Sequence, residues 1–190
     1  CGYLGWLKTR ELRSQDDLLE EVALPLLRLG AIRGDYDAAR CLAQSLRSLG
    51  GVKRLAEAAY WLHEASRRDT AAARMLGQFH GLGLGVPRSH ATAAAWLALA
   101  AEEGDPEATE MLARHFLGGS GAPHDPLLAI RLAERAAAAG YGRGAQLLGL
   151  VYEDGLLVPR DDARAAAAYR MGAALGDEYS MHALALMLFD

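Results

Sequence analysis

The side chains able to do chemistry are scattered through this 190-residue chain, which carries six histidines and two cysteines. A hydrolytic zinc centre sets two histidines one helical turn apart beside a glutamate, because that spacing puts both imidazoles on one face. No His-Glu-x-x-His occurs, nor a phosphate-binding Gly-x-x-x-x-Gly-Lys, nor a Gly-x-Ser-x-Gly around a nucleophilic serine. His115, His124 and Asp125 surround a glycine-rich turn and come nearest to a metal site. Asp125 directly precedes Pro126, however, and reads more simply as a helix cap, since Asp161 recurs one period later without histidines. Glu102-Glu103 and Asp161-Asp162 are carboxylate pairs, but adjacent residues on a helix point about 100° apart, which suits a solvated face. The glycines of Gly81-Leu82-Gly83-Leu84-Gly85 follow a helical pattern, not a strand, and no lysine follows them, unlike a nucleotide loop. No catalytic residue, cofactor or metal is assigned, and the chain is expected not to be an enzyme.

Charge and composition narrow the remaining classes. Lys plus Arg is 20 and Asp plus Glu is 24, for a net charge of −4. That lacks the basic footprint of a nucleic-acid binder. Hydrophobic residues make up 52% but aromatic ones only 7%, which favours helices packed closely through small side chains. No run approaches the roughly 18 apolar residues of a membrane-spanning helix. Cys1-Gly2 matches the start of a processed bacterial lipoprotein, whose first cysteine carries the lipid. The expectation is a lipid anchor at Cys1 and a periplasmic or outer-membrane-associated location, with a cytoplasmic protein as the alternative. Cys41, on a helical stretch, reads as a small buried thiol, and two cysteines make no disulfide framework.

What organises the chain is repetition. Ala38-x-x-x-Leu42-Ala43 returns as Ala72-x-x-x-Leu76-Gly77, Ala108-x-x-x-Leu112-Ala113, Gly144-x-x-x-Leu148-Gly149 and Ser180-x-x-x-Leu184-Ala185, with leucines 34, 36, 36 and 36 residues apart. A period of this size marks stacked units that each bury a face only against their neighbours. In the unit beginning at Gly104, Asp105 caps a helix and Pro106 fits its first turn. Ala108, Met111, Leu112 and Phe116 form one apolar stripe, and Gly118-Gly119-Ser120-Gly121 turns the chain. Asp125-Pro126 then opens a second helix whose stripe is Ala129, Leu132, Ala133, Ala136 and Ala137. Each unit is an antiparallel helix pair. The small residues at the Ala38 and Ala43 positions of every unit let helix axes come close, and leucine at Gly77 or Gly149 would overpack the seam.

This pattern of Ala-x-x-x-Leu-Gly, a Gly-x-Gly-Val loop, a capping Asp, and Ala-Ala-x-x-Gly resembles the Sel1-like repeat family. The unit from Ala72 to Gly104 carries it most fully, and Leu148-Gly149, Tyr152, Gly155, Val158, Asp161, Ala165 and Gly176 repeat it. Leu46 and His80 replace a family tyrosine, and Ser89 replaces an aspartate. The resemblance implies an all-α, right-handed α/α solenoid of about four helix pairs plus a terminal half-repeat, related to tetratricopeptide repeats. Residues 1–16 would be a tether or cap, 17–33 an N-terminal helix kinked at Pro25, and 34–190 the solenoid. In that helix Ala23, Leu26, Leu27, Gly30 and Ala31 keep the spacing of a buried stripe.

Function is then expected where the repeat varies. In helix-pair solenoids the first helices line the concave face. One row there reads Arg40, Arg74, Glu110, Gln146, His182, and a second reads Gln44, Gln78, Arg114, Leu150, Leu186. Together they suggest a groove basic at its N-terminal end and apolar toward the C-terminus. Met187 and Phe189, with Leu186, add an apolar patch on the last helix that could hold a partner or a second copy. The expected function is a non-enzymatic scaffold for another protein. The alternative use of the same surface is a periplasmic immunity protein that occludes a secreted toxin. A hydrolase is the third class, because some members of the resembled family have been proposed to act on β-lactams. Those members look rich in paired cysteines, which this chain is not.

Overall fold

Aspartates start most of the helices. At Asp35, Asp69, Asp105, Asp125, Asp161 and Asp177 a carboxylate oxygen accepts from a backbone N–H two or three residues on, satisfying a donor the first turn leaves free. Ser89 does the same for Thr92. The structure, a computed structural model, describes residues 19–155 and 158–189. Ten α-helices run through them, with no strand among the described residues. They are α1 (Leu24–Ile32), α2 (Tyr36–Leu49), α3 (Val52–Ala65), α4 (Thr70–Leu82), α5 (His90–Glu102), α6 (Pro106–Gly118), α7 (Pro126–Ala138), α8 (Gly142–Asp154), α9 (Asp162–Ala174) and α10 (Glu178–Phe189). Helices α2/α3, α4/α5, α6/α7 and α8/α9 form four pairs, each packed on the next in a solenoid, and α10 lies against α9 and α8.

The seam within each pair is as tight as the small residues suggest. A Cβ at Gly77 would lie 3.0 Å from Leu97 Cγ, and one at Gly149 only 2.3 Å from the Tyr169 ring. The seam between pairs uses a second device. Gly85 and Gly121, in the turns after α4 and α6, press onto the first turn of the second helix in the preceding pair. A Cβ at Gly85 would sit 2.2 Å from the Leu55 carbonyl carbon, and one at Gly121 2.1 Å from that of His90. Both turns take left-handed φ, 68° and 77°, so glycine is required twice over.

Two apolar clusters fill the interior. One runs from Leu24 to Phe79 and the other from Ala73 to Ala168, and Trp96 packs against both. A third gathers Tyr169, Ala165 and Ala183 at the last seam.

The N-terminal helix departs from its expected stripe. Its first turn, Leu19–Ala23, is a π turn that leads into α1 at Pro25. Proline offers no N–H to the preceding turn, and a wider turn absorbs the mismatch. Of the expected stripe, Leu27 packs on the core beside Leu24 and Ala31, and Leu26 alone is exposed. Leu24 and Ala31 are the buried residues, while Leu26 is 53% exposed.

Candidate functional site

The face made by the first helices is held together by side chains that reach forward from one repeat into the next. Arg40 Nε donates to Asp69 Oδ2 at 2.7 Å while Asp69 Oδ1 caps α4. Arg74 Nε donates to Asp105 Oδ2 at 2.9 Å while Asp105 Oδ1 caps α6. Each aspartate thus serves its own helix with one oxygen and the previous repeat with the other. Arg40 also pairs with Asp37, and Arg74 with Glu107. A second row runs beside this one: Gln44 Nε2 meets Met75 Sδ at 3.7 Å, and Gln78 Nε2 meets Met111 Sδ at 3.4 Å. The basic N-terminal end expected from Arg40 and Arg74 is therefore neutralised within the chain.

At the third repeat the ladder stops. Glu110 occupies the arginine position, and the cap position that follows holds Tyr141, which makes no side-chain cap. Glu110 instead accepts from Arg114 on its own helix. Its carboxyl is buried, and burial raises its pKa above 4.5 against the opposing pull of Arg114 and Arg143. Tyr141 is likewise raised, by burial first and then by Glu107.

Beside Arg114, in the seam that Arg74 and Asp105 still bridge, the surface opens. A groove of about 500 Å³ lies between α4 and α6, lined by Gly77, Gln78, Gly81 and Leu82, by Leu97 behind them, and by Met111, Arg114 and His115 opposite. His90 and Ser120 close its end. Gly81 leaves the α4 wall without a side chain, and its Cβ position has only Ala93 within reach, at 3.6 Å. His115 Nδ1 donates to the Ser120 carbonyl, and Arg88 hydrogen-bonds His90 Nε2 at 3.1 Å. The rings of His90 and His115 stand 6.1 Å apart.

The remaining expected positions are dispersed. Gln146 borders a shallow polar hollow with Arg143, Asp177 and Glu178, Leu150 is half-buried, and His182 is exposed. On α10, Met187 packs beside Tyr169, whereas Met181, Leu186 and Leu188 face outward at 46, 55 and 71% exposure. Cys1 and the Phe189 side chain lie outside the described residues. Cys41 is a free thiol, half-buried where full burial was expected, and the Asp125 side chain accepts from the Leu128 N–H as a helix cap does.

Tyr169 is a residue that the sequence does not single out. It is fully buried against Gly149, its hydroxyl donates to Glu153, and burial with that bond raises its pKa strongly. The bare glycine opposite is its only signal. His90 and Gly81 are likewise hard to foresee as groove residues, because they come from a second helix and from a loop-proximal turn.

Stacked helix pairs joined by forward-reaching side chains, with a groove on the first-helix face, define an α-helical repeat solenoid. The Sel1 repeat model matches residues 29–69, 70–105, 106–141 and 143–177, and the chain belongs to the Sel1 repeat family. A Sel1 repeat protein from Oxalobacter formigenes is similar in structure, with a TM-score of 0.71 and 29% identity over 78% of this chain. A protective antigen present in uropathogenic Escherichia coli strains, displaying an SLR fold, aligns with a TM-score of 0.73 and 24% identity over 92% of it. The chain spans 62% of the length of the first and 37% of the second. No curated protein matches it.

Proposed function

We propose that this chain is a non-enzymatic scaffold that holds another protein on its first-helix face, with the outward apolar residues of α10 as a further contact. The observation that carries the reading is the groove between α4 and α6. Its lining is mostly apolar, and it lies between the second and third pairs, beside the Glu110–Arg114 pair at which the inter-repeat ladder ends. Repeat solenoids expose long surfaces of this kind, and apolar patches on them mark contacts.

Affinity purification of the tagged chain from cells that encode it tests the proposal. A defined set of proteins is expected with the wild type and depleted about tenfold or more by Met111→Lys, because a charge in a contact centre is costly. A set that Met111→Lys leaves intact, or no protein enriched over the tag alone, would count against it.

A further inference from the structure

The chemistry of the α4/α6 groove specifies its occupant more narrowly than the scaffold reading, on which this inference rests. Its floor is apolar: Leu97 is 2% exposed, and Met111, whose Sδ meets Gln78 Nε2, lines the opposite wall with an unbranched side chain that adapts to what packs on it. Gly81 leaves room on the α4 side for one large side chain. The rim is cationic. Arg114 spends its Nε on Glu110, while its two Nη groups donate to nothing else among the described residues and the side chain is 47% exposed. Arg88 stands beside His90 at the closed end.

Among the described residues, no carboxylate lines this groove. Glu110, which lies beneath Arg114, is only 3% exposed. Neighbouring hollows are different. The one at Arg74 and Tyr141 is bordered by Glu103, Asp105 and Glu107, and the one at Gln146 by Asp177 and Glu178. In a chain of net charge −4, the apolar groove is therefore free of lining carboxylates, and the Nη groups of Arg114 are the donors it presents.

We propose that the groove binds a polypeptide segment presenting one large apolar side chain next to an aspartate or glutamate. The apolar side chain enters between Gly81 and Met111, and the carboxylate accepts from the Nη groups of Arg114. A guanidinium holds a carboxylate with two parallel bonds, which fixes direction as well as charge. A lysine or arginine in place of the acid meets like charge at Arg114 and is rejected. The groove is open to solvent at Leu82, which is 69% exposed, so a chain can run on past the anchored residue.

A phage-displayed library of random 12-residue peptides, selected on the full chain and counter-selected on Gly81→Trp, tests this. Enriched peptides are expected to place Leu, Ile, Met, Phe or Trp within two positions of Asp or Glu. As synthetic fluorescein-labelled peptides they should lose about tenfold in affinity on Arg114→Gln, and a similar factor when the peptide's acid becomes its amide. The two changes together should cost little more than either alone. Circular dichroism establishes that each variant is folded, and Arg114→Gln, at a half-exposed side chain, keeps the test open if Gly81→Trp is not. Neutral or basic peptides, acidic peptides indifferent to Arg114→Gln, or no peptide that distinguishes the wild type from Gly81→Trp would each overturn the proposal. Enriched peptides that bind the first-helix face outside this groove would overturn it while leaving the scaffold reading in place.

Discussion

Gly85 and Glu110 show how much single residues decide in a stacked fold. Gly85 is constrained by its φ of 68° and by the Leu55–Ala56 peptide against which it presses. Gly85→Ala should therefore destabilise the protein by about 2 kcal/mol or more, from backbone strain and overpacking together. Urea denaturation would measure it, and a loss below about 0.5 kcal/mol would mean the turn moves aside easily. Glu110 acts through protonation. Its carboxyl binds a proton more tightly in the folded chain than in the unfolded one, because burial disfavours the charge. Ionising it therefore costs stability as pH rises through 4.5 toward the raised value, and costs nothing below that window. Glu110→Gln should match the wild type in thermal midpoint near pH 4 and exceed it at pH 7. A lower midpoint at pH 7 would show that the Arg114 pair outweighs burial.

The helices themselves are largely legible in the sequence, and their mutual contacts are not. Asp105-Pro106 and Asp125-Pro126 announce helix starts because capping and the missing proline N–H are local chemistry. Leu26 misleads because the face that meets the core is set by Leu24, Leu27 and Ala31, and Leu26, two residues and about 200° on from Leu24, points away from it. Arg40 and Arg74 read as free groove residues since their partners sit 29 and 31 positions away, in the next repeat. A signal is present all the same. Where the row holds arginine, the following cap is aspartate; where it holds Glu110, the cap is Tyr141. The double duty of Asp105 can be measured against Asp125, which caps α7 and has no arginine partner among the described residues. Asp125→Ala should cost about 1 kcal/mol, the worth of a cap. Asp105→Ala should cost about 2 kcal/mol, because Arg74, 18% exposed, also loses one of its two partners and keeps only Glu107. Equal losses at the two positions would remove the inter-repeat ion pair from any stabilising role.

Over the whole molecule, stability in such an array is a sum of units and nearest-neighbour seams. The forward ladder ties the first pair to the second and the second to the third, then lapses before α8, whose N-terminus has no side-chain cap. The groove lies between the second and third pairs, beside Glu110 and Arg114, which turn to each other and free the Nη groups. The ladder can be extended by restoring both of its members at the next step. Glu110→Arg alone should destabilise, since it sets a cation beside Arg114 and Arg143, with only Glu107, already paired with Arg74, to receive it. Tyr141→Asp alone gains a cap but faces Glu107 and Glu110, so its net effect should be small. Together they recreate the Arg74–Asp105 arrangement one repeat on. A double-mutant cycle by urea denaturation should give a favourable coupling of about 1 kcal/mol or more. Amide exchange in the first turn of α8 should slow in the double variant as its N–H groups acquire an acceptor. The same variant should weaken peptide binding at the groove, because Arg114 loses Glu110 beneath it and gains a competing cation. Additivity within about 0.5 kcal/mol would mean that the apolar seams alone hold the fourth pair to the third.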